Sequence, residues 1–529
     1  MTRSPVPFAR FPFARFPFAP LPFAPLAITL LVASGAACGP PPAASFGPKK
    51  VEIPVSDGAR RADLSAHGGG SSAPPSGAFK ESPFPSVATS KLANGMGVDV
   101  VTSRALPIVQ VRVLVRAGSG YGATPGVATL TGDMLKDGGT RAMSSADLLR
   151  RVETLGADLS VGTDFDATVL SMAVTKDQLP EALSILSQVV REPRFDGDEL
   201  RKLKARTVDE LEDEARSSGA YTASRLVFRE LFPEKSAYGT YSLVPSEVAK
   251  VDGAAIRDFH RRFYVPKSAT LVVAGDVDAA TAKALAERTF GSWTGGDPPR
   301  VELAPPHAPP RPRVLIAHRP KSVQSDIYVA MIAPARKTPG WAAVRVANQV
   351  LGGGVASRLF SDVREQRSLA YRTNAQILEV AHGEQPLVVY AGTETGKTAQ
   401  AVAGLLENLA RMTASPPTAA ETEGARRFLS DIFAIRMETI GSIADMVVTQ
   451  ETLGLPEGYW DAYRKEVRAV EPVEAEAAAK KLYTTQQAII VVAGDADVIA
   501  PELARYGEVT VVDPEKEFKT MRTVPQVTK

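Results

Sequence analysis

The sequence predicts an α+β protein made of two homologous domains, each a mixed, largely antiparallel sheet with helices packed on one side. Three observations predict it. Apolar and polar residues alternate in "VQVRVLVRAG", the period of a strand with one buried face. Helical periodicity follows in "SSADLLRRVETLGADLS", where Ser144 or Ser145 can cap a helix with Leu148, Leu149, Val152 and Leu155 on one face. Finally, "FYVPKSATLVVAGDVD" and "LYTTQQAIIVVAGDADV" share the run VVAGD-x-D, the mark of an internal duplication.

At 529 residues the chain is too long for one hydrophobic core. Its 44% hydrophobic and 23% charged residues, with Lys+Arg 61 against Asp+Glu 59, set it apart from disordered chains and give no basis for nucleic acid as a partner. One cysteine, Cys38, excludes an internal disulfide framework and a cysteine-rich metal site.

Residues 1–38 carry a repeat, "VPFARFPFARFPFAPLPFAP", and then the apolar run "LAITLLVASGAA", which ends at Cys38. Arg3, Arg10 and Arg15 precede the run, which is too short to span a bilayer, and small residues precede the cysteine. The layout resembles a bacterial lipoprotein signal, with Gly35 where such signals carry leucine. The resemblance implies export to the periplasm and a membrane anchor through lipidated Cys38; an ordinary cleaved signal with an incidental cysteine is the alternative. Residues 39–86, rich in Pro, Gly and Ser, read as a flexible tether that holds His67.

The first domain is expected over residues 87–296. The turn "NGMG" separates two Val-rich runs, "ATVLSMAVT" reads as a strand and "DQLPEALSILSQVVREP" as a helix. A proline-rich linker, 297–312, contains His307. The second domain, 313–529, repeats the order: strands in "PRVLIAHRP" and "SDIYVAMIAPA", a helix in "GWAAVRVANQVLGG", a hairpin in "AQILEVAHGEQPLVVYAGTE" and a helix in "TAQAVAGLLENLARM". The glycines of "LGGG", Gly352 to Gly354, permit a turn and a close backbone approach, and no Lys-Ser/Thr follows them to make a phosphate loop.

Four motifs, "KLANGMGVDVV", "GVATLTGDMLKDGGT", "FYVPKSATLVVAGDVD" and "LGGGVASRLFSDVREQRSLAYRTNA", occur in an order similar to that of the pitrilysin/insulinase-like zinc peptidases. The resemblance covers about Lys91 to Asp497. It implies repeated α+β domains that form half of a clamshell chamber. In active members the helix matching Gly126 to Thr140 carries His-x-x-Glu-His, two zinc ligands and a general base on one helical face. Here the matching positions hold Thr129, Gly132 and Asp133, and none has the chemistry for its task. Glu210, in "RTVDELEDEARSS", stands as a remnant of the distant third ligand. The five histidines are scattered, and His260, His318 and His382 read as structural.

The C-terminal half differs. Relatives bring an arginine and a tyrosine, seven residues apart, across the chamber to the substrate, and "REQRSLAY" places Arg364 and Tyr371 at that spacing. Guanidinium and phenol can each donate a hydrogen bond to a polarised carbonyl and its oxyanion. The resemblance therefore implies a zinc-less subunit, inactive alone, which supplies Arg364 and Tyr371 to a His-x-x-Glu-His paralogue acting on peptide or unfolded polypeptide. No cofactor is expected in this chain, and zinc is expected in the partner. Two alternatives stand: a structural or peptide-binding chamber protein, and a metallopeptidase with an unorthodox site.

Overall fold

The computed structural model describes residues 77–527, apart from 80, 123, 233–237, 240–241 and 302–303. The expected signal, Cys38, His67 and most of the expected tether lie outside the described residues. Everything below belongs to the unit Lys80–Lys529.

The first half begins with β1 (Ala88–Lys91) and β2 (Gly97–Thr102), joined by the Asn94-Gly95 turn, where Gly95 takes φ +91°. Then come β3 (Ile108–Val115), α1 (Val127–Asp137), α2 (Ser145–Thr154), β4 (Ser160–Thr163) and β5 (Thr168–Thr175). Five helices follow in turn: α3 (Leu179–Arg191), α4 (Gly197–Ser217), α5 (Gly219–Leu231), α6 (Pro245–Lys250) and α7 (Gly253–Phe263). The half closes with β6 (Ala269–Gly275) and α8 (Ala279–Phe290). Its sheet has the order β1-β2-β6-β3-β5-β4, with β2 and β6 parallel and the other pairs antiparallel.

The second half starts with β7 (Arg313–His318), β8 (Gln324–Ala333), α9 (Trp341–Gly352), β9 (Arg372–Ile377) and β10 (Gln385–Glu394). Helices α10 (Thr398–Ala414), α11 (Ala419–Arg436), α12 (Ile440–Thr452), α13 (Tyr459–Ala469) and α14 (Pro472–Leu482) lead to β11 (Ile489–Gly494). The remaining elements are α15 (Ala496–Leu503), β12 (Val509–Asp513) and β13 (Lys519–Val524). The order β13-β12-β7-β11-β8-β10-β9 contains β7-β11-β8-β10-β9, which repeats β2-β6-β3-β5-β4 strand for strand. The VVAG of the shared VVAGD-x-D run closes the two corresponding central strands, β6 and β11.

Each sheet buries one face against helices of its own half. In the first half Val111, Val113 and Val273 pack with Leu130, Met134 and Leu186. The opposite face is covered by the other half. α12 places Ile443, Ala444 and Val447 on Val101, Val272 and Ala274 of the first sheet, while α5 places Ala223 and Val227 against Ala317, Val491 and Ala493 of the second. The halves thus exchange equivalent helices. β3, expected to bury a single face, buries both, because α12 roofs its outer side and pairs Asp445 and Glu451 with Arg112 and Arg116 at 3.0 and 2.8 Å.

Other local expectations meet the same test. Ser144 is the cap of α2, its hydroxyl accepting from the Asp147 N–H, and Leu148 and Val152 are buried. Leu149, expected on that buried face, is 59% exposed, because it lies one residue round the helix from Leu148. Gly352 makes the expected close approach: a Cβ there would lie 2.5 Å from the Ala375 nitrogen of β9. No described helix is long and apolar enough to cross a membrane.

Candidate functional site

Helix α1 starts after Gly126, whose φ of +81° suits glycine, and buries Val127, Leu130, Met134 and Leu135 in the first core. Thr129 and Asp133, one turn apart, lie half-buried on its flank, and Gly132 is buried between them. A Cβ at Gly132 would lie 2.2 Å from Thr163 Oγ1 of β4, so any side chain there must displace that hydroxyl. Thr163 and Thr168 hydroxyls bond at 3.0 Å, and Thr168 donates to the Ala117 carbonyl at 3.0 Å.

Helix α4 packs beside α1 and brings Arg206 into this corner. Arg206 Nη2 donates to Asp137 Oδ2 at 2.5 Å, and its Nε lies 3.9 Å from Glu210 Oε1. Burial, then the charge of Asp137, push Asp133 up to about 7; Arg206 opposes this, and Glu210 adds a smaller upward effect. The structure thus brings Asp133 and Glu210 into one electrostatic group, with a guanidinium among the carboxylates.

This donor set does not fit zinc. Thr129 offers a neutral hydroxyl, Gly132 offers nothing, and Asp133, pushed up to about 7, is only partly ionised at neutrality. Arg206 already supplies positive charge to the remaining acids. Among the described residues no histidine joins these carboxylates in a metal-ligand group, and His260 on α7 is engaged elsewhere, with Nε2 2.8 Å from the Val190 carbonyl oxygen and its ring stacked on Tyr264 at 4.8 Å. Burial holds His260 down to about 4, and hence neutral.

Arg364 and Tyr371 come together on an unusual backbone. Residues Phe360–Gln366 form a π-helical turn, closed by Arg367 N–H donating to the Asp362 carbonyl at 3.0 Å. Ser368 follows at φ +49°, a strained value for a residue with a Cβ. Single π turns concentrate at functional sites. The Arg364 guanidinium carbon lies 4.4 Å from the Phe360 ring centre and 4.9 Å from that of Tyr371, so two aromatic faces clamp it. Tyr371 is 78% exposed.

The turn is held from behind by Asp362, a carboxylate only 7% exposed. It accepts from Arg367 Nε at 3.2 Å and Asn408 Nδ2 at 2.7 Å, and Arg411 Nη2 lies at 2.9 Å. Sequence reasoning missed Arg206, Phe360 and Asp362. Phe360 and Asp362 stand inside the very motif that carries Arg364, while nothing local in the sequence marks Arg206.

Among the described residues, His318, Asp495 and Asp497 bring possible metal-ligand atoms within 4.8 Å of one another. Each of the three already has a hydrogen-bond or ion-pair partner. His318 Nδ1 accepts from the Ala496 N–H at 3.1 Å, Asp495 accepts from the N–H groups of Lys321 and Asp497, and Asp497 pairs with Arg522. The cluster caps α15. His382 sits in the β9–β10 loop, where Nε2 meets the Tyr121 hydroxyl at 3.1 Å and its N–H donates to Tyr238 at 3.2 Å.

Comparison with known proteins follows the same lines. Residues 100–227 match the model of the insulinase family, peptidase family M16, and residues 250–429 match that of the peptidase M16 inactive domain. An uncharacterized zinc protease of Mycobacterium leprae is 26% identical over 362 residues, 65% of this chain and 78% of that protein. The non-peptidase homolog YmxG of Helicobacter pylori is 23% identical over 339 residues, 63% of this chain and 76% of that protein. The crystal structure of a peptidase M16 inactive domain from Pseudomonas fluorescens superposes with a TM-score of 0.71 at 26% identity, covering 77% of this chain and 98% of that one. With duplicated domains, both family models in sequence order and no His-x-x-Glu-His on α1, the chain belongs to the insulinase (M16) peptidase family as a member that lacks the family's zinc motif.

Proposed function

We propose that this chain is the non-catalytic subunit of a two-chain zinc peptidase, lending Arg364 and Tyr371 to a paralogue that carries His-x-x-Glu-His. One contrast carries the reading. The α1 site has none of the groups needed for metal and base, while the second half keeps, on a braced π turn, a half-buried arginine clamped by aromatic rings. A guanidinium and a phenol held in that way can bind a peptide carbonyl and stabilise its oxyanion when the partner supplies the nucleophile. Polypeptide is the substrate class, and zinc belongs to the partner.

Mixing the purified chain with such a paralogue is the test. Peptidase activity greater than either chain shows alone, and no stoichiometric zinc in this chain by metal analysis, supports the reading. A paralogue fully active without it overturns the reading in favour of a binding chamber. We further propose that the chain is exported and anchored through Cys38. On that reading Cys38→Ser releases it from the membrane fraction, and an unacylated, soluble wild type refutes the anchor.

A further inference from the structure

Two hairpins that occupy the same place in the duplicated halves, β4–β5 and β9–β10, meet at their tips. In the β4–β5 tip the Asp164 carboxylate accepts from the N–H groups of Asp166 and Ala167 at 2.8 and 2.7 Å. The β9–β10 tip is shaped by buried Gln385, which accepts from the Val380 N–H at 2.7 Å and donates to the Val380 and Gly383 carbonyls. Each tip is thus preformed by its own half, and Asp166 joins them.

Asp166 is 3% exposed. One carboxylate oxygen accepts from the Tyr238 hydroxyl at 2.6 Å and the other from the Ala381 N–H at 2.7 Å, so a side chain of the first half closes on the backbone of the second. The Tyr238 oxygen also accepts from the His382 N–H at 3.2 Å, and the His382 ring meets the Tyr121 hydroxyl at 3.1 Å. The packing is close: a Cβ at Gly118 would lie 2.4 Å from the Asp166 nitrogen, and one at Gly120 3.1 Å from the Tyr238 ring.

The groups around Asp166 do not balance its charge. Asp164, on the same turn, is a like charge, and Tyr121 and Tyr238 are phenols that burial keeps neutral. Burial and the charge of Lys337 lower His382, which is neutral at pH 7, and Arg116, the cation nearest Tyr121, is paired with Glu451 at 2.8 Å. Among the described residues no lysine or arginine pairs with Asp166. A dry carboxylate served only by neutral donors is costly as the anion, and the acid avoids that cost by donating to the phenol oxygen while the Ala381 bond stays in place.

We propose that Asp166 is a pH-dependent latch between the halves, closed while its carboxyl is protonated and opening at the β9–β10 tip as it ionises. Burial, the largest influence, raises the closed carboxyl to about 7 and Asp164 adds to this, while the Tyr238 and Ala381 donors oppose it; in water the ordinary value is 3.8. The closed form therefore holds a proton that the open form has released. Opening is favoured as pH rises through that window and levels off above it. β9, which follows Tyr371 directly, runs into this tip, so release reaches the strand beside the proposed substrate pair; the latch itself does not rest on that function.

The test is hydrogen exchange of the purified full chain by mass spectrometry, read at the Ala381 and His382 amides and divided by their intrinsic rates at each pH. Protection should fall roughly thirtyfold between about pH 5.5 and pH 8.5, while the amides of β11 keep theirs. Asp166→Asn should hold the protection constant over that range. Tyr238→Phe removes one donor to the carboxylate and should move the fall to higher pH. Asp133→Asn and His382→Gln should leave the wild-type response in place, since neither group is the sensor.

Protection that does not change with pH in the wild type overturns the proposal, as does a fall that persists in Asp166→Asn or vanishes in Asp133→Asn or His382→Gln. A fall shared equally by the β11 amides is global unfolding and overturns it too. Should Asp166→Asn fail to fold, as thermal unfolding would show, Tyr238→Phe decides: a midpoint moved upward supports the latch, and an unmoved one refutes it.

Discussion

Asp133 stands on α1 at the last position of the absent His-x-x-Glu-His motif. Its carboxyl titrates near 7 against an ordinary value of 3.8, so between those values the folded chain holds a proton that the unfolded chain has released. Stability from this group is therefore lost as pH rises from about 4 to about 7. Asp133→Asn should raise the melting temperature at pH 8 and change it little near pH 4, as scanning calorimetry at both pH values would show; an equal shift at both would refute the titration. Arg364 and Tyr371 call for a kinetic readout. If the proposed two-chain peptidase forms, Tyr371→Phe keeps the ring against Arg364 but removes one donor, and Arg364→Lys keeps charge but loses the fork. Each should reduce turnover by about 3 kcal/mol of transition-state stabilisation, roughly a hundredfold, while pull-down of the partner is unchanged.

The decisive element is the π turn Phe360–Gln366. Its geometry is paid for by Asp362, which gathers donors from Arg367, Asn408 and Arg411 in a nearly dry site. Asp362→Ala strands those donors and should cost about 3–5 kcal/mol of stability by urea titration. Asp362→Asn, which retains one acceptor, should cost less, and both should impair the mixed peptidase without touching substrate. The sequence marked the region through "REQRSLAY", because spacing along the chain is a local property. It could not mark the turn as π-helical, since the extra residue per turn is stabilised by α10, which lies about forty residues further on.

At the scale of the whole molecule, the exchange of α5 and α12 makes each half the lid of the other's sheet. Val101, Val272 and Ala274 are covered by Ile443, Ala444 and Val447, and Phe84 packs on both that cluster and the second core. Residues 87–296 expressed alone should therefore bind a hydrophobic dye and lack a cooperative melt, whereas the intact chain should unfold in one transition. A stable, dye-silent first half would refute this interdependence. The segment just before β1 strengthens the tie, since the Phe84 N–H donates to Asp461 at 3.0 Å and Arg468 pairs with Glu81 at 2.8 Å.

What the sequence determined by itself was whatever has a local cause: the strand and helix periods, the Ser144 cap, the Gly95 turn, the duplication seen in VVAGD-x-D, and the missing ligands at Thr129, Gly132 and Asp133. The tertiary structure alone decided the contacts between distant segments. It put Arg206 among the acids of α1, closed two aromatic rings on Arg364, and buried both faces of β3 under a helix more than three hundred residues away. Periodicity reports which face of an element is apolar, but the identity of what covers that face depends on chain crossings that leave no trace in local pattern.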